Sequence, residues 1–450
     1  MTRRIGAELW SRAMQSTSGT LIIEGGHKLC GEIVVEGNKN AALPLLCATL
    51  LTDETVTLDN VPRIKDVQTM QSILTALGCH VVERQSTHAG EAGKCFAFTT
   101  RDLMTTAPPP ELSRQMRASF ALAGPLLARA RACTLPVPGG DRIGRRPVDT
   151  HVSALMQLGA HIEVFPDRYV MTAPGGLKGA DIFLEEMSVM ATENVVMAAS
   201  LAKGTTTIRN AASEPHVQDV CRLIIAMGGS IEGIGTNTLV VHGAQSLHGA
   251  HFEVGPDYLE VGSFIALSAM AGGPLLIKRA RPSDHKITAL AFARLGVRFE
   301  ERGDDIYVPA EQELEVKAGL HGAIARIHDA PWPGFPADLI SICVVLATRC
   351  KGSVLIHEWM YESRLYWVDK LIAMGARVTV CDPHRAIVEG PARLYGQTMS
   401  SPDIRAGMAL LLAALVAEGT SVIHNAQQID RGYAEIERRL RALGAHIERH

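Results

Sequence analysis

Six times along the chain an amphipathic segment closes on Leu-Gly or Met-Gly and runs into a short strand. The phrases read SILTALGCHVV, SALMQLGAHIEV, LIIAMGGSIEG, AFARLGVRFEE, KLIAMGARVTV and RRLRALGAHIER. Their glycines, Gly78, Gly159, Gly228, Gly296, Gly375 and Gly444, fall about 70 to 80 residues apart. A glycine there suits the position just past a helix C-terminus, where φ is positive and a Cβ would be costly. Upstream of five phrases stands a second helix of small apolar residues, then a glycine turn and a strand. NVVMAASLAKGTTTIRNA, LISICVVLATRCKGSVLIHE and GMALLLAALVAEGTSVIHNA are examples, while the copy around Arg117–Arg129 is looser. In the last unit Tyr433, Ile436, Leu440 and Leu443 recur at helical spacing and mark one apolar face. Each unit is thus helix, strand, helix, strand. Six of them in 450 residues predict an α/β protein with two domains of three units each. A solenoid is the competing architecture, although the period exceeds the common solenoid repeats. No Pro- or Ser-rich linker marks a boundary between halves.

The charge balance removes some functions. With 44 Lys+Arg against 47 Asp+Glu, no global field draws in nucleic acid or an anionic membrane, so an anionic ligand needs a local cluster. No basic stripe with interleaved aromatics suggests nucleic-acid binding. The longest apolar runs, such as GMALLLAALVAEG, are too short to span a bilayer. The segment MTRRIGAELWSRAMQSTSG has no apolar core of the secretory kind, so a cytoplasmic protein is expected. Nine scattered cysteines form no CxxC pair and no zinc-like spacing. They read as buried thiols in a reducing compartment, and neither a metal nor a cofactor is expected.

Chemistry is sought where the repeat is broken. In EGNKNAALP, Lys39 and Asn40 stand at the start of an Ala-rich helix whose N-terminal amides favour an anion; a solvated cap is the plainer reading. In SRQMRASFALAG, Arg114 and Arg117 lie on a predicted helix, and Arg117 falls where small apolar residues begin. The loop PVPGGDRIGRRPVDTH places Asp141 after two glycines and before Arg142, Arg145 and Arg146, which offer forked donors to phosphate or carboxylate. It lacks the GxxxxGK[ST] pattern, and a mobile surface turn is the alternative. PWPGFPADL delivers Asp338 to the start of an apolar helix, where N-capping is the simpler role. Arg364, Arg405 and Arg431 each open a predicted helix in successive repeats. Repetition of basic groups at like positions points to an enzyme or binder of a small polyanion at an interdomain cleft.

At these residues the chain resembles the enolpyruvyl transferases, from about Gly19 to the C-terminus. The matching phrases are GNKNAALP, MRAS, PGGDxIGxRPVDxH, SVxAT, PGFPADL, SPDIRAG and IDRGY. The resemblance implies two inside-out α/β domains, each of three pseudo-symmetric βαβαββ-like repeats, with the chain crossing twice between them. One domain would comprise residues 1–38 plus 256–450; the other, 39–255, would carry a mobile Gly-rich loop at about 136–147. The implied reaction transfers enolpyruvyl from phosphoenolpyruvate to the 3′-hydroxyl of UDP-N-acetylglucosamine, a first committed step of peptidoglycan synthesis. Lys39, Arg146, Arg364, Arg405 and Arg431 would cradle phosphoenolpyruvate. Asn40, Arg117, Arg146, Pro147, Val148, Asp149, Thr150, His151, Ser188 and Val189 would line the nucleotide-sugar site, with Met360 touching the sugar. Asp338 would accept the hydroxyl proton. Asp141 stands where many members carry a reactive cysteine and is assigned the proton-donor role. A carboxylate there implies resistance to fosfomycin, which alkylates a thiolate.

Two positions depart from the family pattern. Glu186 stands where some relatives place a lysine near the diphosphate, and Tyr258 where many have arginine. The competing readings are an enolpyruvyl transferase acting on another uridine nucleotide, and a non-catalytic paralogue that binds UDP-sugars.

Overall fold

The computed structural model describes residues 19–86, 93–141 and 143–450. Arg142 and residues 1–18 lie outside the described residues. All six glycines that punctuate the sequence repeat have positive φ, between 83° at Gly296 and 104° at Gly78. Each follows the outer helix of a unit: Lys65–Ala76, Asp149–Gln157, Pro215–Ala226, Lys286–Ala293, Val368–Ala373 and Ile436–Ala442.

The other helix is buried almost all round in five of the six units, and over five of its eight residues in Ala123–Ala130. In Ile340–Ala347 all eight residues are buried, and in Ile404–Val416 all thirteen. Burying a Val, Leu or Ile side chain contributes about 1.5–3 kcal/mol, so these apolar helices gain most at the centre, with sheets outside them. Tyr258–Ala271, Ile340–Ala347 and Ile404–Val416 pack on one another. Lys39–Ala48 and Val189–Ala199 both touch the turn Arg117–Leu122, which leads into Ala123–Ala130. The looser second copy is therefore a 3₁₀ turn feeding an α-helix; Arg117 opens that turn, and Arg114 follows the short helix Pro110–Ser113.

Each unit owns a small sheet. In five of the six, the first strand runs parallel to the second and the rest are antiparallel: 181–183 beside 205–209, then 238–242 and 230–232, is one example. The sheet of 132–136, 168–172 and 161–164 has three strands. Two sheets recruit strands from far along the chain. Leu21–Glu24 inserts between Thr420–His424 and His446–Arg449, and Gly31–Val34 pairs in parallel with Leu275–Lys278. Conversely His251–Glu253 pairs with 57–59 of the strand Thr55–Val61. The buried side chains form two clusters. One spans residues 41–254 and takes in Ala434; the other joins residues 21–35 to 258–447. No helix among the described residues is long and apolar enough to cross a membrane.

Candidate active site

The helix starts that break the sequence repeat converge between the two clusters. Asn38 caps the first inner helix, its Oδ1 accepting the amides of Asn40 and Ala41 at 2.7 and 3.2 Å. Asp257 and Asp403 do the same for Tyr258–Ala271 and Ile404–Val416, and Ser188 for Val189–Ala199. With their amides capped by a neighbour, the residues that follow are free to point into the cavity between the clusters. That cavity, about 230 Å³, is lined by Lys39, Asn40, Arg117, Asp141, Arg146, Val189, Asp338, Met360, Arg364, Arg405 and Arg431, all expected from sequence. Pro147, Val148 and Asp149 line an adjoining cavity of about 710 Å³, shared with Arg117, Arg145 and Arg146. Thr150, His151 and Ser188 line neither. His151 is buried, bonded through Nδ1 to Asn194 at 2.9 Å and edge-on to Phe120 at 5.1 Å, and burial pushes its pKa down to about 3.

Two ion clusters face each other across the cavity. On one side Lys39 Nζ lies 2.8 Å from Asp66 Oδ2. Arg431 donates through Nε to Asp66 Oδ1 at 3.1 Å and through Nη1 to Asp141 Oδ1 at 2.5 Å. Burial would raise the Asp66 pKa, but Lys39 and Arg431 outweigh it and hold the carboxyl below its ordinary range. Lys39 is pulled down by burial, with Asp66 opposing. On the other side Asp338 accepts from Arg364 Nη2 at 2.5 Å and Arg405 Nε at 2.9 Å. Burial acts to raise the Asp338 pKa; the two guanidiniums overcome it and hold the carboxylate well below its usual range. Asp338 makes no capping bond, so the simple capping role is set aside for an ion pair. Arg405 sits in the first turn of a helix as expected, but Arg364 precedes Val368–Ala373 and Arg431 ends a 3₁₀ turn, so these two do not open helices.

Among the described residues Arg117 and Arg146 form no ion pair, and Arg117 Nη2 instead donates to Pro147 O at 2.9 Å. Burial first, and the neighbouring Arg146 second, lower the Arg117 pKa to about 10. Two guanidiniums brought together against their own repulsion make a seat for an anion. Among the described lining residues, six cations (Lys39, Arg117, Arg146, Arg364, Arg405, Arg431) stand with five acids, Asp66, Asp141, Asp338, Glu193 and Glu214, and burial pushes up the pKa of the last two. The surplus of cations in the lining suits an anionic ligand.

Several contributors were not read from sequence. Asp66 looked like an ordinary acid in a first helical turn. Asn194, which bonds Gly124 N and Phe120 O, is a buried amide inside the apolar run ATENVVMAAS, and that break was a usable signal. Tyr258, one of the two departures, is buried beside His216 and Trp332, with ring centroids 6.2 and 5.7 Å apart, and gives that wall an uncharged aromatic surface. Glu186, the other, is exposed.

A buried carboxyl supports the turn that carries Met360. Asp329 accepts the amides of Trp359 and Met360 at 2.8 and 3.2 Å, and Glu358 accepts that of Tyr361 at 3.2 Å. Burial, and then the nearby Asp329 carboxylate, push the Glu358 pKa to about 10. A folded state that keeps this proton loses stability as pH rises from about 4.5 toward that value, because the unfolded chain releases it earlier. Glu358→Gln is expected to flatten the fall in Tm between pH 5 and 9, raising it by about 2–4 °C at the alkaline end. Thermal unfolding across that range checks this.

Fold and site together define a transferase of the enolpyruvyl type. A family model described as EPSP synthase (3-phosphoshikimate 1-carboxyvinyltransferase) matches residues 23–440, and the chain belongs to this family. Within it, the chain is 51% identical to the UDP-N-acetylglucosamine 1-carboxyvinyltransferase of Bradyrhizobium diazoefficiens, over 95% of this chain and 97% of that one. The protein of the same name from Treponema denticola is 48% identical over 95% and 98% of the two chains. In three dimensions the chain is similar to the enolpyruvyl transferase NikO from Streptomyces tendae, with a TM-score of 0.84 at 23% identity, covering 96% of this chain and 99% of that one.

Proposed function

We propose that this protein transfers the enolpyruvyl group of phosphoenolpyruvate to the 3′-hydroxyl of UDP-N-acetylglucosamine, releasing phosphate, in the first committed step of peptidoglycan synthesis. The observation that carries the reading is the cavity where Asp141 and Asp338, each held by arginine, face each other among surplus cations. Phosphoenolpyruvate, with a phosphate and a carboxylate, matches that surplus. Its phosphate draws Lys39 and Arg431 toward itself and frees Asp141; its carboxylate competes with Asp338 for Arg364 and Arg405.

The chemistry follows from that exchange of partners. Asp141, carrying a proton in the substrate complex, gives it to the C3 methylene, and C2 gains cationic character. The 3′-oxygen bonds to C2 while its proton passes to Asp338, whose basicity rises once its guanidiniums are shared. The tetrahedral adduct then loses a C3 proton back to Asp141. As the C2–C3 double bond re-forms, the bond from C2 to the phosphate oxygen breaks, phosphate departs onto Lys39 and Arg431, and the proton held by Asp338 passes to solvent. Arg117 and Arg146, with Pro147, Val148 and Asp149 in the adjoining cavity, are assigned to the nucleotide diphosphate end. Asn40, Val189 and Met360 are assigned to the sugar, and Thr150, His151 and Ser188 to shaping the walls behind it.

Residues 1–38 with 256–450 are taken as one domain and 39–255 as the other; the two separate apolar clusters support that division. A cytoplasmic setting is supported by nine free cysteines, seven of them buried. The test is phosphate release from phosphoenolpyruvate with UDP-N-acetylglucosamine, UMP and shikimate 3-phosphate as parallel acceptors. Release with UDP-N-acetylglucosamine alone is the expected result. Release with UMP alone would transfer the protein to another uridine-nucleotide reaction, and binding of the UDP-sugar without turnover would leave a non-catalytic role.

A further inference from the structure

The Gly-rich loop reaches across from the 39–255 side and is fastened at two points. One is the Arg431–Asp141 pair. The other is the turn after Glu358, where the loop backbone is held in register. Glu362 Oε1 accepts the Arg145 N–H at 2.7 Å, and Ser363 N donates to Ile143 O at 3.1 Å. Between these bonds lies Gly144, with φ of +139°, and a Cβ there would stand 2.4 Å from Glu362 Oε2. Only glycine allows so close an approach in that conformation. Tyr361 adds a second contact: the guanidiniums of Arg146 and Arg364 lie 5.9 and 5.4 Å from its ring centroid. Ile143 is buried at 5% exposure, so the loop is seated rather than draped. The seat itself is rigid, because Asp329 and Glu358 accept the amides of three consecutive residues, Trp359 to Tyr361.

We propose that Glu362 is a positioning residue: it fixes the loop backbone at Arg145 and so sets where Asp141 stands in the cavity. Glu362 does not line that cavity and need not touch substrate. Its carboxylate meets the loop through the Arg145 N–H. Asp141 is four residues from Arg145, close enough that a shift of about 1 Å in the loop misplaces the acid and costs rate. A carboxylate accepting a backbone amide is one of the stronger neutral–charged hydrogen bonds, which suits an anchor on an otherwise glycine-rich segment.

The inference rests on the transfer reaction proposed above, and the experiment separates the two. Glu362→Ala and Glu362→Gln would be prepared beside the parent protein. Glu362 is half-buried, so neither change disturbs a core. Backbone amide exchange of peptides covering residues 143–147 is measured first, without substrates. In Glu362→Ala it is expected to quicken by about tenfold or more, with recovery in Glu362→Gln, whose carbonyl can still accept the Arg145 N–H. Phosphate release with phosphoenolpyruvate and UDP-N-acetylglucosamine follows. The kcat is expected to fall about tenfold in the alanine variant and to return toward parent in the glutamine variant. Unchanged exchange in Glu362→Ala would overturn the anchor. Faster exchange with unchanged kcat would overturn its role in placing Asp141. A parent protein with no transfer activity would sink the proposed reaction and with it the catalytic half of the inference, while the exchange result would still decide the anchor.

Discussion

Asp141→Ala is expected to lose about 10²–10⁴-fold in phosphate release while still binding UDP-N-acetylglucosamine. The alanine removes the proposed donor but leaves Lys39, Asp66 and the other arginines in place. Arg431 keeps its bonds to Asp66 and Gln428, so the fold has little reason to yield. Steady-state phosphate release and calorimetric binding of the UDP-sugar check the two halves. Asp141→Cys is the more informative companion. A thiol is also a proton donor, so turnover should return in part, and with it sensitivity to fosfomycin. The parent protein, with a carboxylate at that place, should show no covalent adduct at Asp141 by mass spectrometry after incubation with the drug. An adduct on the parent would remove the resistance argument.

The second large effect is expected at Asp338. Asp338→Asn should lower kcat by about 10²–10⁴-fold, because an amide cannot take the hydroxyl proton. It should also lower Tm, since Arg364 and Arg405, 3% and 4% exposed, would lose the carboxylate that both are bonded to. The pH dependence carries a sign. Asp338 has its pKa held well below the ordinary value of 3.8, so its stabilising contribution is present above about pH 4 and fades as acid is added. The Tm gap between parent and variant should therefore be widest near neutrality and narrow in acid. Millimolar phosphate should close part of the gap at pH 7 by occupying the released guanidiniums. A variant with parent-like Tm at pH 7 would contradict the ion-pair account.

What could be read from residues alone was governed by how local the cause is. The six glycines were legible because a positive φ after a helix is a demand one residue must meet. The cations were legible because a lysine or arginine interrupts an apolar helix start. Strand membership was of the opposite kind. Nothing within LIIE or HFE says that the first completes a sheet with residues 420–449 or that the second pairs with residues 57–59. The resemblance to a family supplied that crossing; the pattern did not. Asp66 was hidden because an acid in the first turn of KDVQTMQSILTA already has a sufficient reason to be there, the helix dipole. The roles of Tyr361 and Glu362 depend on which loop lies opposite, and no spacing in YESRLYW carries that. His151 is a further case: it neighbours lining residues in sequence, yet its ring is buried against Asn194 and Phe120.

The crossed strands also impose a timetable on synthesis. Leu21–Glu24 emerges from the ribosome early, yet both its sheet partners, Thr420–His424 and His446–Arg449, are made last. At about 5–20 residues per second that is a wait of roughly 20 to 80 seconds. Meanwhile the sheet of Thr55–Val61 on the 39–255 side can close once His251–Glu253 has appeared. The half-built product is thus a settled first lobe trailing an unpaired hydrophobic strand, LIIE, at its leading end. That strand stays without its sheet partners until the last strands of the chain are made.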